Sequence, residues 1–464
     1  VIYLQISKGY VDPFGRKSNG CCFLLKRWIY GTKEAPKKFS ILFTNYMKSL
    51  KFTNCLLDPN MFIRNEPNSE HGVSRVGAHV DDGLVTMHHN LLKKFISDIE
   101  KRFAITFQNP CVKYIGIQFY RIREMRIIGL HQSDYIRKCL KAFKRNSLRK
   151  YRTPLPSTLD FIKMSGDVQA KPELIKRYQT IEGVLQHAVI TRNDIQFAVN
   201  AMARFNLSPR EEFYNLLLRI LFYLEDTIDL KIWIGLLSPL PWLHFPDASF
   251  AGDQNMKSRS GGPSYYYGSV ICSLSKVQPI TAHSACEAEV IAMVDIGKTA
   301  LFLKNLATEM LLIGAKGDQK LITDSSSGKL FSEQTRVNSG SKHINLRYLI
   351  IREWAAEKLI NILHTPNEVQ VGDLFTKSTG RVLFLRFRGM LNMATISTIQ
   401  GCVVGRGFEK STPLTIALDK GVGRDKKDMQ QVLKEMGKKL LFFTKGLDTD
   451  DHDETIMSLN SDDD

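Results

Sequence analysis

Between Arg75 and Met87 the chain reads RVGAHVDDGLVTM, two short β-prone runs that meet at adjacent aspartates, Asp81 and Asp82. The Val- and Leu-rich flanks predict two strands, with the acidic pair at their tight connection. Few folds accept this, because each of two neighbouring carboxylates raises the pKa of the other unless a cation holds both. Oxygen-only ligation of this kind suits Mg²⁺, with Mn²⁺ as the alternative, bound through one or two carboxylates plus substrate phosphates. A solvated hairpin tip carries the same dipeptide, so context must choose between the readings.

The 464 residues are 43% hydrophobic and 24% charged, a composition that excludes a disordered chain and allows two to four domains. A net charge of +17 favours a polyanionic partner such as nucleic acid, although basicity alone does not separate this from an acidic membrane surface. No apolar run reaches the length of a membrane span, and the best stretch, Leu216 to Leu224, is broken by Arg219. Eight cysteines form no CxxC pair and no zinc-spaced Cys/His cluster. They read as reduced thiols of an intracellular protein, cytoplasmic or nuclear. The opening VIYLQISKGY has no signal-peptide pattern and reads as a start inside a domain.

The pattern along the chain predicts an α+β and α/β multidomain protein. Residues 1–128 mix short strands (Ser74 to Met87, Tyr114 to Tyr120) with helices (Pro36 to Leu50, Asn90 to Phe103). Residues 129–235 read as mostly helical. They include a basic stretch, Lys138 to Arg152, that suits a phosphate backbone or a solvated helix face, and a Pro-rich boundary loop from Thr153 to Pro172. Residues 240–392 form a second α/β unit. There Trp242 to Phe245 is read as a strand ending in Asp247, Gly261-Gly262 as a turn, and Ser284 with Glu287 as a capping box opening a helix to about Leu312. A strand from Lys320 to Thr323 ends in Asp324, a helix covers Asn345 to Lys358, and His364-Thr365-Pro366 leads into a helix holding Asp373. Residues 393–464 carry Gly-rich stretches, an amphipathic run from Met429 to Leu441, and an acidic end, Asp448 to Asp464, of the kind that is usually disordered.

Four acids recur at matched places in the second unit: Asp247 and Asp324 at strand ends, Glu289 on a helix and Asp373 on a late helix. Four carboxylates from separate elements can converge on two Mg²⁺ ions, one activating water and one stabilising the leaving oxygen of a phosphodiester. Any one of them alone reads equally as a surface acid. Glu287 is assigned to the cap, accepting from the Ser284 N–H, and Glu289 to metal, since Ala292 and Ile296 place it over an apolar face. His364 reads either as a structural histidine or as an aid to proton transfer.

Several segments, in order, resemble the Pol polyprotein of Ty1/copia-type LTR retrotransposons, from within the reverse transcriptase through ribonuclease H. Ile29 to Pro36 resembles LYGLKQAP, and His79-Val80-Asp81-Asp82 stands where that family has YVDD. Tyr114 to Ile117 resembles FLGI, Gln132 to Phe143 the thumb segment, and Thr191 to Asp194 TRPD. In the second half Asp247 to Asp253 resembles DADWAGD, Ser284 to Ala292 resembles SSAEAEYIA, Lys342-His343-Ile344 and Arg352-Glu353 resemble KHI and IRE, and Gln370 to Lys377 resembles QLADIFTK. The chain departs from the pattern at His79, Asn193, Val290 and Leu349, none of which removes a carboxylate.

The resemblance implies a partial reverse-transcriptase palm with fingers (1–128), a helical thumb and connection (129–235), a ribonuclease H-like domain (240–392) and an unassigned tail with a flexible acidic end (393–464). It gives Asp81 and Asp82 a polymerase metal role and places the first palm aspartate upstream of Val1. It gives Asp247, Glu289, Asp324 and Asp373 the ribonuclease H metal-ligand roles. The implied partners are an RNA–DNA hybrid, an RNA template and a DNA primer, with no membrane. The competing expectation is a catalytically decayed nucleic-acid-binding remnant.

Overall fold

The computed structural model describes residues 3–5, 22–24, 32, 34–66, 72–143, 145, 149–167, 169–235, 238, 240–333, 348–399 and 452–459, with backbone alone for 3–5, 22–24 and 452–459. Two compact units result, Val1–Pro110 with Asp451–Asp464, and Cys111–Asp450. The expected boundaries near 128 and 235–240 both lie inside the second unit. Most of the opening Val1 to Tyr10 segment and of the Ile29 to Pro36 match, the Lys342 to Ile344 match, the Gly-rich stretches and the Met429 to Leu441 run lie outside the described residues.

In the first unit β1 (Tyr3–Gln5) pairs with β2 (Cys22–Leu24), and α1 (Ala35–Ser49) starts with a proline in its first turn, where a missing N–H costs nothing. A sheet follows from β3 (Thr53–Asn54), β4 (Met61–Asn65), β5 (Val73–His79), β6 (Asp82–His88) and, after α2 (His89–Glu100), β7 (Ile105–Gln108). Its side chains alternate as a half-buried sheet requires: Val76, Val85 and Met87 join Phe43, Met47 and Phe95 in one core. In β5–β6 His79 faces Asp82, so the two-residue connection is Val80-Asp81 and Asp82 opens β6, one residue off the expected Asp81-Asp82 connection. Val80 takes φ 56°, a left-handed value that a β-branched residue adopts only under strain.

The acidic end differs from expectation. Residues His452–Leu459 form a strand between β6 and β7, antiparallel to both. The charge count hides a β-prone core, Thr455-Ile456-Met457, which can pair once a sheet edge is offered. The rest of Asp448 to Asp464 lies outside the described residues.

The second unit opens with antiparallel strands β8 (Lys113–Tyr114), β9 (Ile117–Ile122) and β10 (Ile127–His131). The expected single strand Tyr114 to Tyr120 is broken by a tight turn at Ile115 and Gly116, both at positive φ. Helix α3 (Ser133–Leu140) ends three residues into the basic stretch Lys138 to Arg152. Arg145 of that stretch instead ties down acids of the next helical layer, 2.7 Å from Glu225 and 2.8 Å from Asp226. Helices α4 (Pro172–Ala188), α5 (Gln196–Ala203) and α6 (Glu211–Asp226) then pack together. Between α4 and α5, buried Arg192 holds Asp194 at 2.9 and 3.0 Å, and Asn193 donates to Ser273 at 3.1 Å.

Strand β11 (Lys231–Gly235) extends the β8–β10 sheet. A mixed sheet then forms from β12 (Trp242–His244), β13 (Asp247–Ser249), β14 (Arg259–Tyr266), β15 (Ser269–Val277), β16 (Gln319–Thr323) and β17 (Ile360–His364). The β12–β16 and β16–β17 pairs are parallel and the rest antiparallel. Helix α7 (Ala285–Glu309) lies on β13, β14 and β16, while α8 (Ser326–Glu333) and α9 (Ile350–Ala356) flank it. Helix α10 (Arg381–Met390) leads to β18 (Met393–Ala394), which completes the β8–β11 sheet. Phe245, Tyr265 and Phe375 share one core with Tyr178, Leu185 and Leu217 of the helical layer.

Three local readings change here. Asp247 does not end a strand: Pro246, with no N–H, interrupts the ladder, and Asp247 begins β13 on the far side, both pieces paired with β14. Gly261 and Gly262 are not a turn but lie inside β14, where backbone must approach closely. A Cβ at Gly261 would fall 2.7 Å from Phe375 Cβ, and one at Gly262 1.9 Å from the Phe245 carbonyl oxygen. The actual turn is Tyr267-Gly268. Asp373 sits on a short 3-10 helix, Val371–Phe375, because the chain must follow β14 before α10 can begin.

Candidate metal centre

Three of the four expected acids meet. Asp247 at the start of β13, Asp324 just after β16 and Asp373 on the 3-10 turn each offer a carboxylate oxygen, and the three oxygens lie within 4.8 Å of one another. Asp247 and Asp373 are buried, 2% and 6% exposed, and Asp324 is half-buried. Parallel pairing of β16 with both β12 and β17 brings Asp324 beside β13, although it is 77 residues from Asp247 in sequence.

Glu289 lies outside that trio but feels it. Burial first, then the charges of Asp247 and Asp324, push its carboxyl up to about 9. Its Oε2 atom is buried without a hydrogen-bond partner. Glu287 sits in the helix cap, where Ser284 Oγ accepts from its N–H at 3.1 Å. Glu287 Oε2 accepts from the His283 N–H at 2.7 Å.

The site leans on three neighbours that the sequence reading passed over. Gln370, fully buried, donates through Nε2 to the Pro246 and Ile322 carbonyls at 3.0 and 3.2 Å and accepts from the Gly372 N–H at 3.2 Å. One amide thus joins the segments carrying Asp247, Asp324 and Asp373. Thr376 donates its hydroxyl to Asp247 Oδ2. Lys377 places Nζ 2.7 Å from Asp373 Oδ1. The Gln370 bonds to Pro246 and Ile322 and the Thr376 bond to Asp247 span 48 to 129 residues, so no local spacing announces them. His364 is a structural neighbour, its Nε2 3.0 Å from both Ser326 Oγ and the Asp324 carbonyl oxygen.

Electrostatics follow from the packing. Burial and then Asp373 raise Asp247 to about 7, with Lys377 and the Thr376 hydroxyl pulling the other way. Burial likewise raises Asp373 against Lys377. Burial works to lower Lys377 most strongly, yet Asp247 and Asp373 together hold it above the ordinary lysine value. So many hard oxygens in a partly dry site, one of them unpartnered, fit a divalent cation such as Mg²⁺ or Mn²⁺.

Asp81 and Asp82 remain a pair at the β5–β6 tip, Asp81 exposed and Asp82 half-buried. Among the described residues no further acid joins them in a group of three.

Residues 3–156 match the family model described as reverse transcriptase (RNA-dependent DNA polymerase). Over 398 residues, 84% of its length, the chain is 29% identical to the retrovirus-related Pol polyprotein from transposon TNT 1-94 of Nicotiana tabacum. The chain carries a reverse transcriptase domain of the retrotransposon Pol kind. A second Pol polyprotein, from transposon RE2 of Arabidopsis thaliana, is 26% identical over 407 residues, 87% of this chain. An uncharacterized mitochondrial protein of Arabidopsis thaliana is 29% identical over 218 residues, 46% of this Pol-like chain and 88% of that protein. The chain spans 29% and 27% of the two polyproteins, less than a third of each. No described helix is long and apolar enough to cross a membrane.

Proposed function

We propose that Asp247, Glu289, Asp324 and Asp373 form a metal-dependent nuclease centre that hydrolyses the RNA strand of an RNA–DNA hybrid, the chemistry of a ribonuclease H. Convergence of three carboxylate oxygens within 4.8 Å, from three elements far apart in sequence, carries this reading. Asp247, Asp324 and Asp373 would hold the metal, with Glu289 beside them. Bound divalent metal supplies Lewis acidity that activates water and stabilises the departing 3′-oxygen. The chain's own groups do the rest. Thr376 fixes the Asp247 carboxylate, Lys377 offsets the negative charge on Asp373, and Gln370 keeps the three acid-bearing segments in register. The hybrid would be read by its shape and 2′-hydroxyls, since an A-like duplex hides its base edges. The basic surplus of the chain supports a nucleic acid partner.

In the first unit, Asp81 and Asp82 fit the metal-binding acids of a polymerase centre acting on an RNA template and DNA primer, a role carried by the family match. The test of the nuclease reading is incubation of purified chain with end-labelled hybrid, the same RNA single-stranded, and the matching DNA duplex. Mg²⁺-dependent cleavage confined to the RNA of the hybrid, leaving 5′-phosphate ends, is expected. Equal cleavage of all three substrates, or cleavage that survives chelation, refutes it.

A further inference from the structure

Beside the carboxylate cluster lies a cavity of about 230 Å³ whose wall includes Thr376 and Lys377. Its other walls bring together parts of the chain that the nuclease reading does not use: Arg204, which closes α5, Arg259 at the start of β14, and Asp253 and Lys257 of the β13–β14 loop. Phe161 and Phe197 add apolar surface.

The cations there outnumber the acids that could neutralise them. Arg204 donates through Nη2 to the Phe161 carbonyl at 3.0 Å, but its Nε is buried with no hydrogen-bond partner. Its nearest acid, Asp253, stands 3.8 Å away, too far for a hydrogen bond. Asp253 Oδ1 accepts from the Asn255 and Lys257 N–H groups at 3.0 and 2.8 Å, and only its Oδ2 faces Arg204. Arg259 makes one bond, to Ser275 Oγ at 3.3 Å, and rests on the Phe197 ring at 5.4 Å; among the described residues it has no ion pair. Burial and then the Arg204 charge lower Arg259 to about 10, which leaves it a cation at neutral pH. Lys257 spends its ammonium on the Pro279 carbonyl at 3.3 Å. The other acid of the wall, Asp160, is paired with Lys163 at 3.1 Å.

A desolvated guanidinium with a free N–H, next to another with no acid, calls for an anion whose oxygens spread over several donors. We propose that this cavity takes a phosphodiester group of the nucleic acid strand lying at the carboxylate cluster, with Arg204 and Arg259 as its principal contacts. The proposal rests on the reading of that cluster as a nucleic acid site, because Thr376 and Lys377 wall both and a strand leaving one passes the other. Arg204 adds a contact from the helical layer to the one that Arg259 makes from the sheet holding the acids.

Hybrid binding by the full chain is followed by fluorescence anisotropy in EDTA, which prevents metal-dependent cleavage, across a salt series. Arg204→Gln is expected to weaken binding about tenfold and to reduce the log–log salt slope by about 1. Asp253→Asn keeps the side-chain acceptor for Asn255 and Lys257 but removes the negative charge. It is expected to tighten binding several-fold, which a misfolded chain cannot do. Affinity and slope unchanged in both variants overturn the proposal. Inorganic phosphate bound by the parent chain and lost in Arg204→Gln, with hybrid affinity unchanged, assigns the cavity to a free anion and overturns it too. Opposite shifts in the two variants, in a chain that cleaves nothing, refute the nuclease reading while supporting the phosphate site.

Discussion

Lys377 Nζ lies 2.7 Å from Asp373 Oδ1, which sets an ammonium against the carboxylates of Asp247, Asp324 and Asp373. The chain thereby carries an internal counter-ion for a cluster whose burial resists multiple negative charges. Any divalent metal must share these carboxylates with that ammonium.

Lys377→Met is therefore expected to lower stability in EDTA only modestly, by about 1 kcal/mol or less, because the ammonium is half exposed and partly screened. The same variant should bind Mg²⁺ more tightly, since no ammonium competes for Asp373. Thermal melts with and without Mg²⁺ measure both effects. A metal-induced shift equal to that of the parent chain would show that Lys377 and metal do not compete.

Gln370→Leu removes the amide that joins three segments and leaves the Pro246 and Ile322 carbonyls and the Gly372 N–H without their partner. A buried polar group stripped of its bond costs about 1–3 kcal/mol. A loss of about 2–4 kcal/mol in urea unfolding is expected, together with weaker Mg²⁺ binding. Stability within a few tenths of the parent would mean that the amide merely fills space.

His244 gives a pH signature separable from the acids. It is buried, with its ring nitrogens 2.8 Å from Ser264 Oγ and 3.0 Å from Gln319 Oε1, and burial lowers it from 6.5 to about 4. The unfolded chain takes up its proton near 6.5 and the folded chain only near 4. Stability present above 6.5 thus falls through that window, by about 3 kcal/mol in all. Asp247 and Glu289, raised to about 7 and about 9, act oppositely, adding stability as pH falls through those values. The difference in urea midpoints between parent and His244→Gln across pH 7.5 to about 4 isolates the histidine. Parallel pH dependences in the two chains would contradict the assignment.

Short-range pattern revealed much of this architecture and little of the site's support. The β5–β6 hairpin, the helices within 129–235 and the strand before Asp324 were legible because periodicity and turn chemistry act over a few residues. The three acids that meet, Asp247, Asp324 and Asp373, were picked out by their order along the chain, while Glu289 lies outside their group. Asp247 was misplaced within its strand because Pro246 looks like an end, and Gly261-Gly262 looked like a turn because glycine serves close backbone approach as readily as reversal. Gln370, Thr376, Arg204 and Arg259 could not be singled out, since each gains its meaning from partners that only the folded sheet and helices bring near.

Cleavage of RNA in a hybrid by the converging carboxylates is tested by the Mg²⁺-dependent cleavage rate of Asp324→Asn beside the parent chain. Asparagine keeps the shape and removes the charge, so the fold should survive and hybrid binding should persist. The parent chain is expected to cleave the RNA strand and the variant to be slowed at least about 100-fold. A parent rate indistinguishable from the Asp324→Asn rate would contradict catalysis by these carboxylates.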